Sequence, residues 1–428
     1  LSNFLKQMNQ SQLLIRINCN FCHLLHFLTL FVMNIIKCIL LFFILLSCSN
    51  LSNRDKIDSK IYFKSVEGNK LDIDIELKFI PLETIDNNLI GNISQIAIYK
   101  DKIFVLDRFY SKRLYAFKTD GTYIGQIGNQ GNGPGEYVMP SHFCFQNEDQ
   151  IVVQDLHKNV LLFYDVNTFN YVKKKYIPFN FNICSVIDNN NIVWYNSNGF
   201  EDEAPKSYIL ATDSILNKKG EYYKADFKSG YILSLGDNLY TYNNQVYVYH
   251  SLKPYVYNVQ SSAANLAYEI DFETHRFPPL SYLKEKASKG ANYTLELTES
   301  DYISAYAFYE NKTAIWINYV ANKIPYVGWY NKETKTAWEL SFKDFTEKIG
   351  MQGLLGTVIG STDEYFISSI NSDALSRRYI DNNELHLLSE KSRKEDNPIL
   401  CLFKISPNCH RQNGDHTIME CTFKVVNE

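Results

Sequence analysis

From about residue 70 to residue 405 the chain consists of short runs in which β-branched and aromatic residues alternate with polar ones, each run bounded by Asn, Asp, Gly or Lys. Alternation with a period of two puts successive side chains on opposite faces and predicts strands. Helical periodicity is nearly absent. The exception is Leu280 to Lys289, which predicts a short amphipathic helix between repeats.

One unit recurs: a turn of Asp or Asn, an apolar strand, a polar break, and a strand ending in an aromatic residue and a second turn. It is clearest in Asp101-Lys-Ile103-Phe-Val-Leu-Asp107 with Leu114 to Gly128, and in Asp149-Gln-Ile151-Val-Val-Gln-Asp155 with Val160 to Val172. Weaker copies begin near Asn190, Asn244, Lys312 and Asp363. If Ile103, Ile151, Ile192, Val246, Ile315 and Phe366 are equivalent, the intervals are 48, 41, 54, 69 and 51 residues. A period of roughly 40 to 50 residues holding four strands predicts a propeller, since such a blade buries both faces only between neighbours. A sandwich of this length has no reason to repeat its turns at that spacing. The reading is an all-β, six-bladed β-propeller of four-stranded antiparallel blades. The last unit offers three strands, Leu355 to Ile359, Tyr365 to Ile370 and Ile399 to Ile405, whereas a strand precedes the first unit at Ile73 to Leu82. Closure by this N-terminal strand would hide the edges of an open ring. The run Thr417 to Val426 is its rival for that position.

Composition supports this picture. Thirty-one Tyr and 27 Phe favour pleated, half-buried strands. With 43 basic against 47 acidic side chains and a net charge of −4, the chain lacks the basic excess of a nucleic-acid binder, and no nucleic-acid partner is expected.

The first fifty residues read as targeting sequence. Met33 is the better start, and from it run a basic segment with Lys37, the apolar Ile39 to Leu46, and Ser47-Cys48. Leu45-Leu46-Ser47-Cys48 resembles a bacterial lipobox, which implies cleavage before Cys48, lipidation of Cys48 and a membrane partner held through that lipid. Two or three acyl chains anchor stably where one would not. A transmembrane anchor is the competing reading, with Lys37 near mid-span against it. Ser49 and Asn50, rather than Asp, follow the cysteine and favour the outer membrane by analogy. The expected organisation is upstream sequence and signal peptide at 1–47, lipidated tether at 48–72, propeller at 73–406 and a C-terminal extension at 407–428.

The most specific stretch is Gly128-Asn-Gln-Gly131-Asn-Gly133-Pro134-Gly135-Glu136-Tyr137, read as a tight crossing from an outer strand to the next inner one, with positive φ at Gly131, Gly133 and Gly135. No Lys-Ser or Lys-Thr and no helix follow, which excludes a phosphate loop. The stretch resembles the turn of NHL-like repeats. Together with Ile80-Pro-Leu-Glu, Leu89-Ile-Gly-Asn-Ile-Ser, Ile103-Phe-Val-Leu-Asp and the lipobox, it resembles the six-bladed β-propeller lipoproteins of Bacteroidetes over about residues 73 to 405. The resemblance implies the fold and a cell-envelope location, and brings no catalytic residues.

Catalytic chemistry is not visible: there is no His-Glu-x-x-His, no Gly-x-Ser-x-Gly and no calcium loop, so no catalytic residue, metal site or cofactor is expected. Asp107 and Asp155 are read as turn-closing residues. Glu201-Asp202-Glu203 reads as a solvated insertion. Cys409, His410, His416 and Cys421 contain zinc-ligand types without compact ligand spacing, and a Cys409–Cys421 disulfide competes. Cys144 and Cys401 sit in strand-like runs as small buried hydrophobes. Of the four tryptophans, one or two on the rim would be free to stack on sugars. His142 is the one clear ligand type on the inner strands that the sequence locates. The expected function is an envelope-anchored binding or interaction module for glycan, peptide or a partner protein. A metal-dependent hydrolase or lyase at the channel mouth and a structural scaffold are the alternatives.

Overall fold

The six repeated units each form a sheet whose second and third strands are apolar on both faces, as strands buried between two layers must be. In Lys102–Asp107 every residue from Ile103 onward is buried. A computed structural model of the chain describes residues 60–188, 190–198, 207–227, 233–287, 293–375 and 382–406. Blade 1 comprises Gln95–Tyr99, Lys102–Asp107, Arg113–Lys118 and Tyr123–Ile127, from the axis outward. Blades 2 to 5 follow the same order over residues 140–176, 183–224, 239–272 and 303–341. The six residues taken as equivalent in the sequence all fall on second strands.

Blade 6 takes Gly360–Ser361, Phe366–Ile370 and Ile399–Ser406 from the end of the described chain and its outer strand, Asp74–Pro81, from the start. That strand pairs antiparallel with Ile399–Ser406, from Asp74 opposite Ser406 to Pro81 opposite Ile399. The N-terminal closure expected from the sequence is therefore present. Its rival, Thr417 to Val426, lies outside the described residues.

Cohesion comes from between the blades. Six apolar clusters lie one at each junction: Phe104, Leu162 and Tyr164 between blades 1 and 2, for example, and Trp316, Trp329, Phe366 and Phe403 between blades 5 and 6. The junction of blades 6 and 1, where the two ends of the repeat meet, is filled by Leu400, Leu402, Ile103 and Phe117.

One part of the expected tether over 48–72 is instead a strand. Lys60–Ser65 runs parallel to the outer strands of both blade 4 and blade 5, pairing Phe63 with Phe272 and Lys64 with Trp338. Its alternation is short and flanked by lysines, so the sequence reads as polar, yet Ile61 and Phe63 are buried. Phe63 stacks on Phe272 at 4.8 Å, and it fills the space over Gly328, where a Cβ would approach its ring to 3.0 Å.

The helix expected at Leu280 to Lys289 occupies Leu280–Ala287. Helices Phe342–Lys348 and Asn383–Lys391 were not legible as periodic runs; each instead begins at a side-chain cap, Ser341 and Asn382 respectively.

Replacing Phe63 with alanine removes a fully buried ring that fixes the added strand to blades 4 and 5. The expected loss is about 3–5 kcal/mol, seen as a lower denaturant midpoint at unchanged slope.

Candidate functional site

The two ends of the ring differ because the chain crosses them differently. The links from first to second strands are short. In blades 1 and 4 they are two-residue turns with positive φ, at Lys100–Asp101 and Asn243–Asn244, the hairpin type whose twist matches antiparallel strands; in blade 2 the link has three residues, with positive φ at Asn147 and Glu148. The opposite, upper end carries the links from second to third strands and from one blade to the next. All the described α-helices leave from this end, and so does the glycine-rich crossing.

Aspartate builds the upper turns of blades 1 and 2. Asp107 is fully buried and accepts hydrogen bonds from the backbone N–H groups of Phe109 (3.3 Å), Tyr110 (3.0 Å) and Ser111 (3.1 Å), and from Gly91 (2.9 Å) on the incoming crossing. Asp155 does the same for His157 (3.0 Å), Lys158 (3.2 Å) and Val138 (2.7 Å). Both carboxylates are used up in closing turns. Blades 3 and 4 place Asn196 and His250 at the same position. His250 accepts from the Leu252 N–H through Nδ1 at 3.1 Å, so its Nε2–H faces the Ser197 carbonyl at 3.3 Å.

The glycine-rich crossing joins blade 1 to blade 2. Only Gly128 (φ 66°) and Gly135 (φ 72°) have positive φ, which corrects the expectation for Gly131 and Gly133. Those two are needed for space instead: a Cβ on either would press on the Glu136 carboxylate, which accepts from the Gly133 N–H at 2.7 Å. Tyr137 is buried and donates to the Ile127 carbonyl at 2.8 Å, while Lys158 Nζ caps the carbonyls of Gly131 (2.7 Å) and Glu136 (2.8 Å).

Across the upper mouth of the channel, the Arg108 guanidinium reaches Asp237 of the opposite blade 4 at 3.2 Å. Asp237 also lies 3.6 Å from His142 Nε2, and Gln95 Nε2 is 3.3 Å from the same ring nitrogen. His142 is 3% exposed, and burial pushes its pKa down to about 4 despite the neighbouring carboxylate, so the ring is neutral at pH 7. Arg108 Nε and Gln154 Oε1 are buried with no hydrogen-bond partner among the described residues. The mouth therefore combines a cation, a carboxylate and a neutral imidazole with one donor, Arg108 Nε, that the protein leaves unpaired. Beside it, on the turn that begins with Arg108, Phe109 and Tyr110 are 64% and 74% exposed.

Sequence reasoning found His142 but missed its partners. Arg108 follows directly on Asp107, which was a usable signal. Asp237 precedes the four-residue inner strand Leu239–Tyr242, too short to be recognised as such. All four tryptophans are buried in the blades, so none stands on the rim. Among the described residues no group of three or more His, Cys, Asp or Glu is arranged to hold a metal. Cys48, Glu201 to Glu203, Cys409, His410, His416 and Cys421 lie outside the described residues.

Residues 49–369 match the sequence profile of a family described as 6-bladed beta-propeller, and the chain belongs to that family. No curated protein sequence matches it. Among solved structures, an exported-protein candidate of Bacteroides fragilis superposes with a TM-score of 0.75 at 28% identity, over 81% of this chain and 99% of that one. Virginiamycin B lyase of Staphylococcus aureus, at 10% identity and TM-score 0.38, covers 77% of this chain and 99% of its own. U3-55K, at 10% and 0.41, covers 77% and 98%. At that distance neither bears on what this chain does.

The neutral histidines set a pH dependence. His142, and His250 with its pKa pushed down to about 3 by burial, bind a proton more readily unfolded than folded. Stability is therefore complete above about pH 6.5 and falls as pH drops through the window down to about 4. His142→Gln is expected to reduce the slope of unfolding free energy against pH in that window by about 1.4 kcal/mol per pH unit, one proton's worth, in denaturant titrations at stepped pH.

Proposed function

Because the chain is a six-bladed β-propeller whose upper end alone is elaborated, we propose that it is an envelope-anchored binding module that takes glycan at the channel mouth. The observation that carries this is the Arg108 turn. It directs a guanidinium inward to Asp237 and His142 and leaves the rings of Phe109 and Tyr110 open to solvent beside it. An exposed aromatic platform next to several hydrogen-bonding groups suits a sugar, which offers an apolar ring face and a rim of hydroxyls.

The envelope location rests on the lipobox at Cys48 and gains support from the exported-protein candidate that this chain resembles. Among the described residues no helix is long and apolar enough to cross a membrane. Lys60–Ser65 runs in the same direction as the outer strands, from the lower end upward. Lys60 therefore lies at the lower end of the ring. NHL-like ancestry of the repeats belongs to the same reading.

The test is a glycan array followed by titration calorimetry. Arg108→Ala and the double change Phe109→Ala, Tyr110→Ala are each expected to weaken a positive glycan at least tenfold without moving the melting temperature by more than a degree or two. Binding indifferent to both changes would overturn the site. A stoichiometric calcium or zinc ion that raises the melting temperature would favour the metal-dependent alternative.

A further inference from the structure

Cys144 and Cys184 are far apart in the chain and meet in the fold. Cys144 lies on the inner strand Pro140–Gln146 of blade 2 and Cys184 on the inner strand Ile183–Asp188 of blade 3, neighbouring strands of the channel wall. Both side chains face the same junction, among Val152, Phe163, Trp194 and Leu210. There the two cysteines belong to one apolar cluster, on inner strands in direct contact. Both are free thiols in the structure. They differ in access, with Cys184 2% exposed and Cys144 only half-buried. Cys401 is a contrast: it is buried in the junction of blades 5 and 6, where burial pushes its thiol up to about 12.

We infer that Cys144 and Cys184 form a disulfide that staples the inner strands of blades 2 and 3. The chemistry requires an exchange partner that is itself a disulfide, either a small molecule or an oxidoreductase. The Cys144 thiolate, the accessible one, attacks a sulfur of that disulfide, forming a mixed disulfide and releasing one partner thiol. Cys184 then gives up its proton and attacks Cys144 Sγ, expelling the second partner thiol. Two thiols of the propeller are oxidised, the partner's disulfide is reduced to two thiols, and both protons end on the partner. The neighbouring Cys144 thiol, and after it burial, hold the Cys184 thiol well above its ordinary pKa, which suits it to the second, intramolecular step rather than to the first. The staple would fix the strand that carries His142, two residues before Cys144 on the same face, against blade 3.

The occurrence of this bond in the cell rests on the envelope reading, because disulfides persist in oxidising compartments. The capacity to form it does not, and the test separates the two. The full chain, reduced and desalted, is exposed to oxidised glutathione, quenched with a maleimide and mapped by peptide mass spectrometry. The expected product is a Cys144–Cys184 cross-linked peptide, with the melting temperature of the oxidised protein higher by roughly 5 °C and brought back by dithiothreitol. Cys184→Ser is expected to stop at a glutathione adduct on Cys144, and Cys144→Ser to leave Cys184 unmodified. Recovery of both cysteines as maleimide adducts after denaturation, or a glutathione adduct persisting on wild-type Cys144, would overturn the inference. Linkage in this assay with free thiols in protein isolated from its native cells would leave the pair intact and count instead against the envelope location.

Discussion

A blade of this protein has no side that tolerates water. Its middle strands are apolar on both faces, as in Val160–Asp165, where every residue up to Tyr164 is buried. Such a sheet is satisfied only by another sheet on each side, and a row of sheets is satisfied only by closing on itself. The six junction clusters are the result, and Asp74–Pro81 is its geometric expression. That strand completes blade 6 from the opposite end of the chain, so the blade that meets blade 1 joins residues more than 300 positions apart. The strand Lys60–Ser65 adds a second non-local tie, between blades 4 and 5.

Ring closure also separates stability from function. The junctions hold the middle strands, and the connections at the two ends are free to differ in length, even where an upper one packs into a junction, as Phe345 does between blades 5 and 6. They vary on one end only. Where the lower turns are two residues with positive φ, the chain has no room for insertions. The upper links range from the two-residue turn Asn322–Lys323 of blade 5 to segments that hold helices or the glycine-rich crossing. The site is therefore built from turns of blades 1 and 4 and inner-strand residues of blades 1 and 2, and its parts meet only because the ring brings opposite blades to one axis.

That division explains what the sequence disclosed. Burial between sheets forces β-branched and aromatic residues onto the second strands, so Ile103, Ile151, Ile192, Val246, Ile315 and Phe366 repeat legibly, and the closing strand follows from counting strands. Lys60–Ser65 escaped because two apolar residues among lysines look like a linker; its neighbours, not its own pattern, make it a strand. Arg108 and Asp237 escaped for a related reason. They are 129 positions apart, and nothing local marks a charge that will face its counterpart across a channel. Gly131 and Gly133 show the limit of residue-type reasoning from the other side. Glycine was needed there, but to admit the Glu136 carboxylate rather than to supply positive φ.

The paired aspartates show how one structural device yields two outcomes. Asp107 and Asp155 both fold the upper turn around a carboxylate by collecting three or more backbone N–H groups. In blade 2 that geometry delivers Lys158 to the carbonyls of Gly131 and Glu136, where it is consumed in holding the crossing between blades. In blade 1 the residue following the aspartate is Arg108, which spans the mouth to Asp237 and keeps an unpaired Nε. The two residues after it turn their rings to solvent. The carboxylate thus fixes the direction of the turn, and the residues that follow decide whether the turn serves the ring or a ligand. In blades 3 and 4, where Asn196 and His250 take the position, the turn is closed by neutral groups and contributes no such charge to the mouth.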